Sequence, residues 1–149
     1  MPTSGSTPGA MVSVALCTYN GARFIAPQLR SILAQGERIA EIVVADDGST
    51  DATLDIVRAI AAESQTAGSA IEFRILDGPG GNGVTKNFER AVAACRSEFI
   101  ALSDQDDVWR PDRIALQLAA FEAQSDLTLV FGDARLVDGI PLYFGRYGL

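Results

Sequence analysis

The sequence predicts an α/β fold, a three-layer α/β/α sandwich around a mostly parallel, Rossmann-like sheet. Two observations predict it. Short runs rich in β-branched residues are apolar throughout, the pattern of strands covered on both faces. Segments with apolar residues at helical spacing separate these runs, so the chain reads as successive βαβ units.

The elements follow in order. The strand candidates are residues 12–17, 41–45, 71–76, 99–103 and 127–131, each short and followed by a turn signal. Between the first two, residues 24–34 place Ile25, Leu29, Ile32 and Leu33 on one stripe. Residues 51–63 do the same with Leu54, Val57 and Ala61, and Ser49 or Thr50 can cap that helix, with Asp51 favourable against its positive end. Residues 83–95 align Val84, Phe88, Val92 and Cys95. Residues 111–123 open with Pro111 at a first-turn position, where a missing N–H costs nothing, and turn Ile114, Leu118 and Phe121 inward. Residues 1–10 read as a small, polar, flexible leader, 11–138 as one domain, and 139–149 as an irregular glycine- and aromatic-rich tail.

Composition narrows the function. A chain of 149 residues suits one domain, burying roughly 68–70% of its unfolded surface. The net charge of −7 argues against a general nucleic-acid or anionic-membrane binder, which needs a basic face. The absence of histidine excludes Ser-His-Asp and Cys-His chemistry and removes the commonest transition-metal ligand. Cys17 and Cys95 sit inside apolar runs and read as core residues of a reducing compartment. No apolar run approaches the ~20 residues a membrane helix needs, so the expectation is a cytoplasmic protein.

The polar groups collect just after the strands, where open α/β sheets bind ligands. Thr18-Tyr19-Asn20-Gly21 follows the first, Asp46-Asp47-Gly48-Ser49-Thr50-Asp51 the second, Asp77-Gly78-Pro79-Gly80-Gly81-Asn82-Gly83 the third and Asp104-Gln105-Asp106-Asp107 the fourth. Two like charges 4 Å apart repel by about 4 kcal/mol at an effective dielectric near 20. The aspartates of the second and fourth loops, gathered on one rim, therefore call for a cation. Oxygen ligands alone point to Mg2+ or Mn2+, held by one or two carboxylates with substrate phosphates completing the shell. Asp104-x-Asp106 at a strand end suits that role. Each motif has a bland reading: Asp-Asp-Gly-Ser is a common turn, and an Asp-x-Asp arises often by chance. Gly78-x-Gly80-x-x-Gly83 matches a dinucleotide fingerprint in the wrong place, after the third strand, and is set aside as such; it remains a loop near a helix N-terminus, suited to phosphate. Trp109 and Phe121 read as packing, and Cys17, lacking an activating base, reads as packing too.

Taken in order, these pieces resemble the family 2 glycosyltransferases of the GT-A fold. The stretches that carry the resemblance are Val12 through Gly21, Ile42 through Asp51, Asn82 through Asn87, and Phe99 through Trp109. The Asp-Gln-Asp-Asp-Val-Trp form is similar to a rhamnosyltransferase-like branch of surface-polysaccharide synthesis. The resemblance implies a nucleotide-sugar-binding half that uses a divalent metal, Mg2+ or Mn2+. It implies that Thr18, Tyr19 and Asn20 line the nucleotide pocket, that Asp46 with Asp47 hydrogen-bonds the base or ribose, and that Lys86 lies near the nucleotide. Asp104, Gln105 and Asp106 match the DxD segment, with Asp104 and Gln105 among the nucleotide-sugar-binding residues and Asp104 and Asp106 as metal ligands, Asp106 the more direct. The partners implied are a nucleoside-diphosphate sugar and a glycan or lipid-linked acceptor, with peripheral association at the inner membrane face. Family members are longer, and their catalytic base lies downstream of the DxD segment, so no residue here is assigned that role. The expectation is a truncated form, weakly active or inactive on its own.

Two rival readings remain at this level. Asp104-x-Asp106-x-Val108 also matches the haloacid-dehalogenase nucleophile motif, with Asp104 as the phosphorylated residue. The other is a non-catalytic nucleotide-binding remnant.

Overall fold

A computed structural model describes residues 9–135. Most of the leader and the whole tail, including the domain boundary at 138, lie outside the described residues. The element order is β1 (Val12–Thr18), α1 (Ile25–Leu33), a 3-10 turn (Gly36–Arg38), β2 (Ile39–Asp46), α2 (Thr53–Thr66), β3 (Glu72–Ile75), α3 (Val84–Ala94), β4 (Phe99–Ser103) and α4 (Arg113–Ala123). The four strands form one sheet in the order β3-β2-β1-β4, and every pairing is parallel. The expected α/β sandwich is therefore present.

The order explains the layers. From β1 to β2 to β3 the chain steps in one direction, and right-handed crossovers put α1 and α2 on the same face. Returning from β3 to the far side of β1 reverses the step and sends α3 to the other face. Val12, Val14, Leu16, Ile42 and Val44 accordingly pack with Ile25, Leu29, Ile32, Val57 and Ile60, joined by Trp109, Ile114 and Leu118. On the opposite face Ala15, Cys17 and Ala45 meet Ala91, with Phe88 beside them. Phe99 and Phe121 add a tilted ring pair 4.9 Å apart.

Four expectations need correction. Residues 127–131 form no strand; a strand exists only with a ladder partner, and Leu129 and Phe131 remain 70% and 75% exposed. The buried face of α3 is Asn87 and Ala91, whereas Val84 and Val92 are exposed. This helix lies over β1 and β2: Ala91 sits against Ala15 and Ala45 with Phe88 and Cys95 of the expected stripe partly buried beside it, and Asn87 Nδ2 donates to Ala45 O at 2.6 Å. The stripe of α2 centres on Val57 and Ile60, with Thr53 and Ser64 buried at its ends and Leu54 and Ala61 only half-buried. Pro111 precedes α4 rather than opening it. It occupies the second position of a turn closed by Arg113 N donating to Arg110 O, a place its fixed φ also suits.

Candidate nucleotide and metal site

Because all four strands run parallel, the loops after β1, β2, β3 and β4 emerge on one rim. The reversal of strand order falls between β1 and β4, and the crevice at such a reversal is where open sheets take their ligands. The Asp46 and Asp104 loops thus share a rim.

The β2 loop is a closed network. Asp46 is buried, and its carboxylate accepts four hydrogen bonds. Thr18 Oγ1 and Ser49 Oγ donate to Oδ1, both at 2.6 Å, while Ser49 N at 2.7 Å and Gly48 N at 3.0 Å donate to Oδ2. Burial works to raise this carboxyl's pKa, but the donors from Ser49, Thr18 and Gly48 outweigh it and hold it below the usual value. Four bonds fill a carboxylate's acceptor sites, so a base or ribose reaching Asp46 must displace one of these donors. The sequence offers Ser49 only as a helix cap, not as a partner of Asp46. Its signal was there, since an Asp whose side chain bonds backbone N–H groups two and three residues on is a common turn.

The neighbouring carboxylates are also engaged. Asp47 accepts from Asn82 N at 2.8 Å and Gly83 N at 3.0 Å, so it sits at the start of α3. The loop suited to phosphate therefore already has an anion at two of its N–H groups. Gly80 is required for this approach: a Cβ there would collide with the Asp47 carbonyl and Gly48 N. Asp51 Oδ1 accepts from Thr53 N at 3.0 Å and from Thr53 Oγ1, while its Oδ2 accepts from Ala22 N at 3.0 Å. Asp51, not Ser49 or Thr50, supplies the hydrogen bond at the head of α2, because Ser49 is committed to Asp46, and Thr50 N donates to Asn20 Oδ1 at 2.8 Å.

Asn20 also donates from its backbone to Ser49 Oγ at 2.8 Å, and its φ of 44° is one that asparagine tolerates better than most residues. Thr18 is buried and Tyr19 is 57% exposed. Lys86 lies exposed in the first turn of α3.

The β4 loop differs. Asp104, Asp106 and Asp107 are exposed, and no hydrogen-bond donor reaches their carboxylates among the described residues. Partial burial, then the charges of Asp107 and Asp106, push the Asp104 carboxyl above its usual pKa. The crowding inferred from the two acidic loops thus reduces to Asp104, Asp106 and Asp107, since the β2 loop engages its own aspartates with N–H and O–H donors. Among the described residues no three ligand groups converge into a ready-made cage. Exposed carboxylates without donors among the described residues, crowded enough to raise the pKa of Asp104, fit a hard divalent cation that takes its remaining ligands from a phosphate-bearing substrate.

Gln105 turns the other way. Its Oε1 accepts from Tyr19 N at 2.9 Å, and its Nε2 donates to Tyr19 O at 3.0 Å. Beside the acidic loop a cavity of about 240 Å3 is lined by Phe88, Leu102, Ser103, Asp104, Asp107, Trp109 and Arg113. Arg113 stacks over Trp109 with its guanidinium 4.3 Å from the ring centroid. Trp109 is only 4% exposed, a core residue. Cys17 borders the site, but burial and then the Asp104 charge push its thiol up to about 12, which leaves no thiolate at neutral pH.

Known proteins resemble this chain in sequence and fold. The description "Glycosyl transferase family 2" matches residues 13–141. An uncharacterized glycosyltransferase of Nostoc sp. is 33% identical over 128 residues, which is 86% of this chain and 38% of that protein. The chondroitin synthase of Pasteurella multocida is 30% identical over 128 residues, 86% of this chain and 12% of that protein. The mannosyltransferase of Pyrobaculum calidifontis, solved in complex with GDP-Man and Mn2+, superposes with a TM-score of 0.67 at 26% identity, covering 76% of this chain and 32% of that one. The chain thus spans well under half the length of these relatives. The dehalogenase reading of Asp104 is withdrawn, since the family match runs through the motif and the fold is that of nucleotide-sugar enzymes. With the family description matching 129 of 149 residues and the same four motif-bearing loops on one rim, the chain belongs to glycosyl transferase family 2.

Proposed function

We propose that this chain binds a nucleoside-diphosphate sugar together with Mg2+ or Mn2+, as the donor-binding part of a glycosyltransferase acting in cell-surface polysaccharide synthesis. The observation that carries the reading is the contrast between the two acidic loops. Asp46 is saturated by donors of the fold and Asp47 and Asp51 are engaged by them, whereas Asp104 and Asp106, on the same rim, meet no donor among the described residues. Asp104 and Asp106 are the groups that would hold the cation. When bound, the ion supplies positive charge that offsets the charge developing on the leaving diphosphate.

The chain's own residues do the rest. Thr18 and Asp46 lock the end of β1 to the β2 turn, which holds the Tyr19-Asn20 segment on the rim. Asp47 and Lys86 flank the start of α3 as candidate contacts to base, ribose or phosphate. The likeness to a chondroitin synthase supports a polymer-building role, with a glycan or lipid-linked acceptor. No helix among the described residues is long and apolar enough to cross a membrane; attachment at the inner membrane face is part of the proposal.

The test is calorimetric titration of UDP, GDP and dTDP into the chain, with Mn2+ and with EDTA. Binding that requires Mn2+ and is lost in Asp106→Ala is expected. The absence of binding by all three nucleotides in Mn2+ would overturn the proposal and leave the non-catalytic remnant as the better reading.

A further inference from the structure

The ladder between β1 and β4 ends at Leu16 opposite Ser103, at the point where the strand order reverses and the two loops separate. Beyond it, the Gln105 carboxamide exchanges one N–H and one C=O bond with the Tyr19 backbone. It mimics one more rung of sheet across the opening crevice. Gly21 belongs to the same contact, since a Cβ at that position would run into the Gln105 carboxamide. Among the described residues this is the one hydrogen-bonded link between residues 104–107 and residues 18–21. On its other side the 18–21 segment is tied to β2 through Thr18, Asn20 and Ser49.

We propose that Gln105 is a positioning residue which fixes the metal arm of the site, Asp104 and Asp106, against the nucleotide arm, Thr18 to Gly21, and so makes metal and nucleotide binding cooperative. The inference rests on the function proposed above. Its physical basis is preorganisation. A cation ligated by both the Asp104 loop and a nucleotide's phosphates gains most when the loops already stand at the right separation. Gln105 sets that separation without touching either ligand. The middle residue of the Asp-x-Asp segment, flanked by two cation-facing carboxylates, is thereby assigned a task of its own.

Gln105→Met keeps the length and bulk that pack on Gly21 while removing both hydrogen bonds. The experiment measures UDP affinity in Mn2+ and in EDTA, Mn2+ affinity with and without UDP, and Tm in EDTA. In the wild-type chain Mn2+ tightens UDP binding by some factor, and UDP tightens Mn2+ by the same factor. The expected result for Gln105→Met is at least about a fivefold loss of that factor, over and above any change in metal-free UDP affinity, with the Tm in EDTA showing that the variant is folded. Gly21→Ala, which displaces the same carboxamide, is expected to reproduce the loss, and it is the deciding variant if Gln105→Met does not fold. An unchanged factor overturns the proposal. So does a fall in UDP affinity that is equal with and without Mn2+, because a purely structural role would produce it. Failure of the wild-type chain to bind any of UDP, GDP or dTDP in Mn2+ strikes at the proposed function instead, and the two failures are told apart by that control.

Discussion

Removing the Asp46 carboxylate tests the physical picture of the rim most directly. In Asp46→Ala four donors lose their acceptor: Thr18 Oγ1, Ser49 Oγ, Ser49 N and Gly48 N. A hydrogen bond to a charged group contributes about 1.5–3 kcal/mol. The four do not add, because Gly48 is exposed and Ser49 half-exposed, so water can reach them. Thr18 is 2% exposed and has no such recourse. The expected loss is about 3–5 kcal/mol at pH 7, or a fall in Tm of roughly 10 °C at 2–4 °C per kcal/mol. Asp46→Asn keeps one oxygen for the two backbone N–H groups and is expected to lose about 1–2 kcal/mol. The pH dependence has a definite sign. The folded-state pKa of Asp46 is depressed, so its contribution is complete above the unfolded value of about 3.9 and disappears as pH falls through the folded value. Urea unfolding between pH 3 and 7 measures both effects, and the acid limb should be flatter in Asp46→Ala than in the wild type. A variant within about 1 kcal/mol of wild type at pH 7, or one with an unaltered acid limb, would refute the assignment of Asp46 as the acceptor that organises this rim.

Two further outcomes follow from the same geometry. Asp104→Asn should raise the Tm of the metal-free chain at pH 7, because the folded-state pKa of Asp104 is raised and its charged form is disfavoured; solvent screening keeps the gain below about 1 kcal/mol, and Mn2+ should no longer stabilise this variant in a thermal scan. Gly80→Ala should destabilise by about 1–3 kcal/mol in urea unfolding, since its Cβ meets the backbone of Asp47 and Gly48 rather than a side chain that can move aside.

The sandwich was legible before folding, as were four of its strands to within two residues at each end, the four helices, and the placement of each polar loop after a strand. Hydrophobic period and chain order carry that information, because a both-faces-buried strand must be apolar throughout and a crossover helix must show a stripe. Residues 127–131 show the limit: a strand-like composition cannot say whether a partner strand lies beside it. The face of α3 was misjudged for a related reason. Period identifies an apolar stripe, but how closely a helix approaches the sheet decides whether Val84 and Val92, or Asn87 and Ala91, are covered. Most of all, the sequence could count the aspartates of the rim but not their hydrogen bonds. Asp46 and Asp104 are alike as residues; folding brings Thr18, Gly48 and Ser49 to the one and no donor among the described residues to the other, and this sets apart the charge spent within the fold from the one proposed for a cation. Gln105 is the same case: its distance to Tyr19, 86 residues away in the chain, is a property of the folded rim alone.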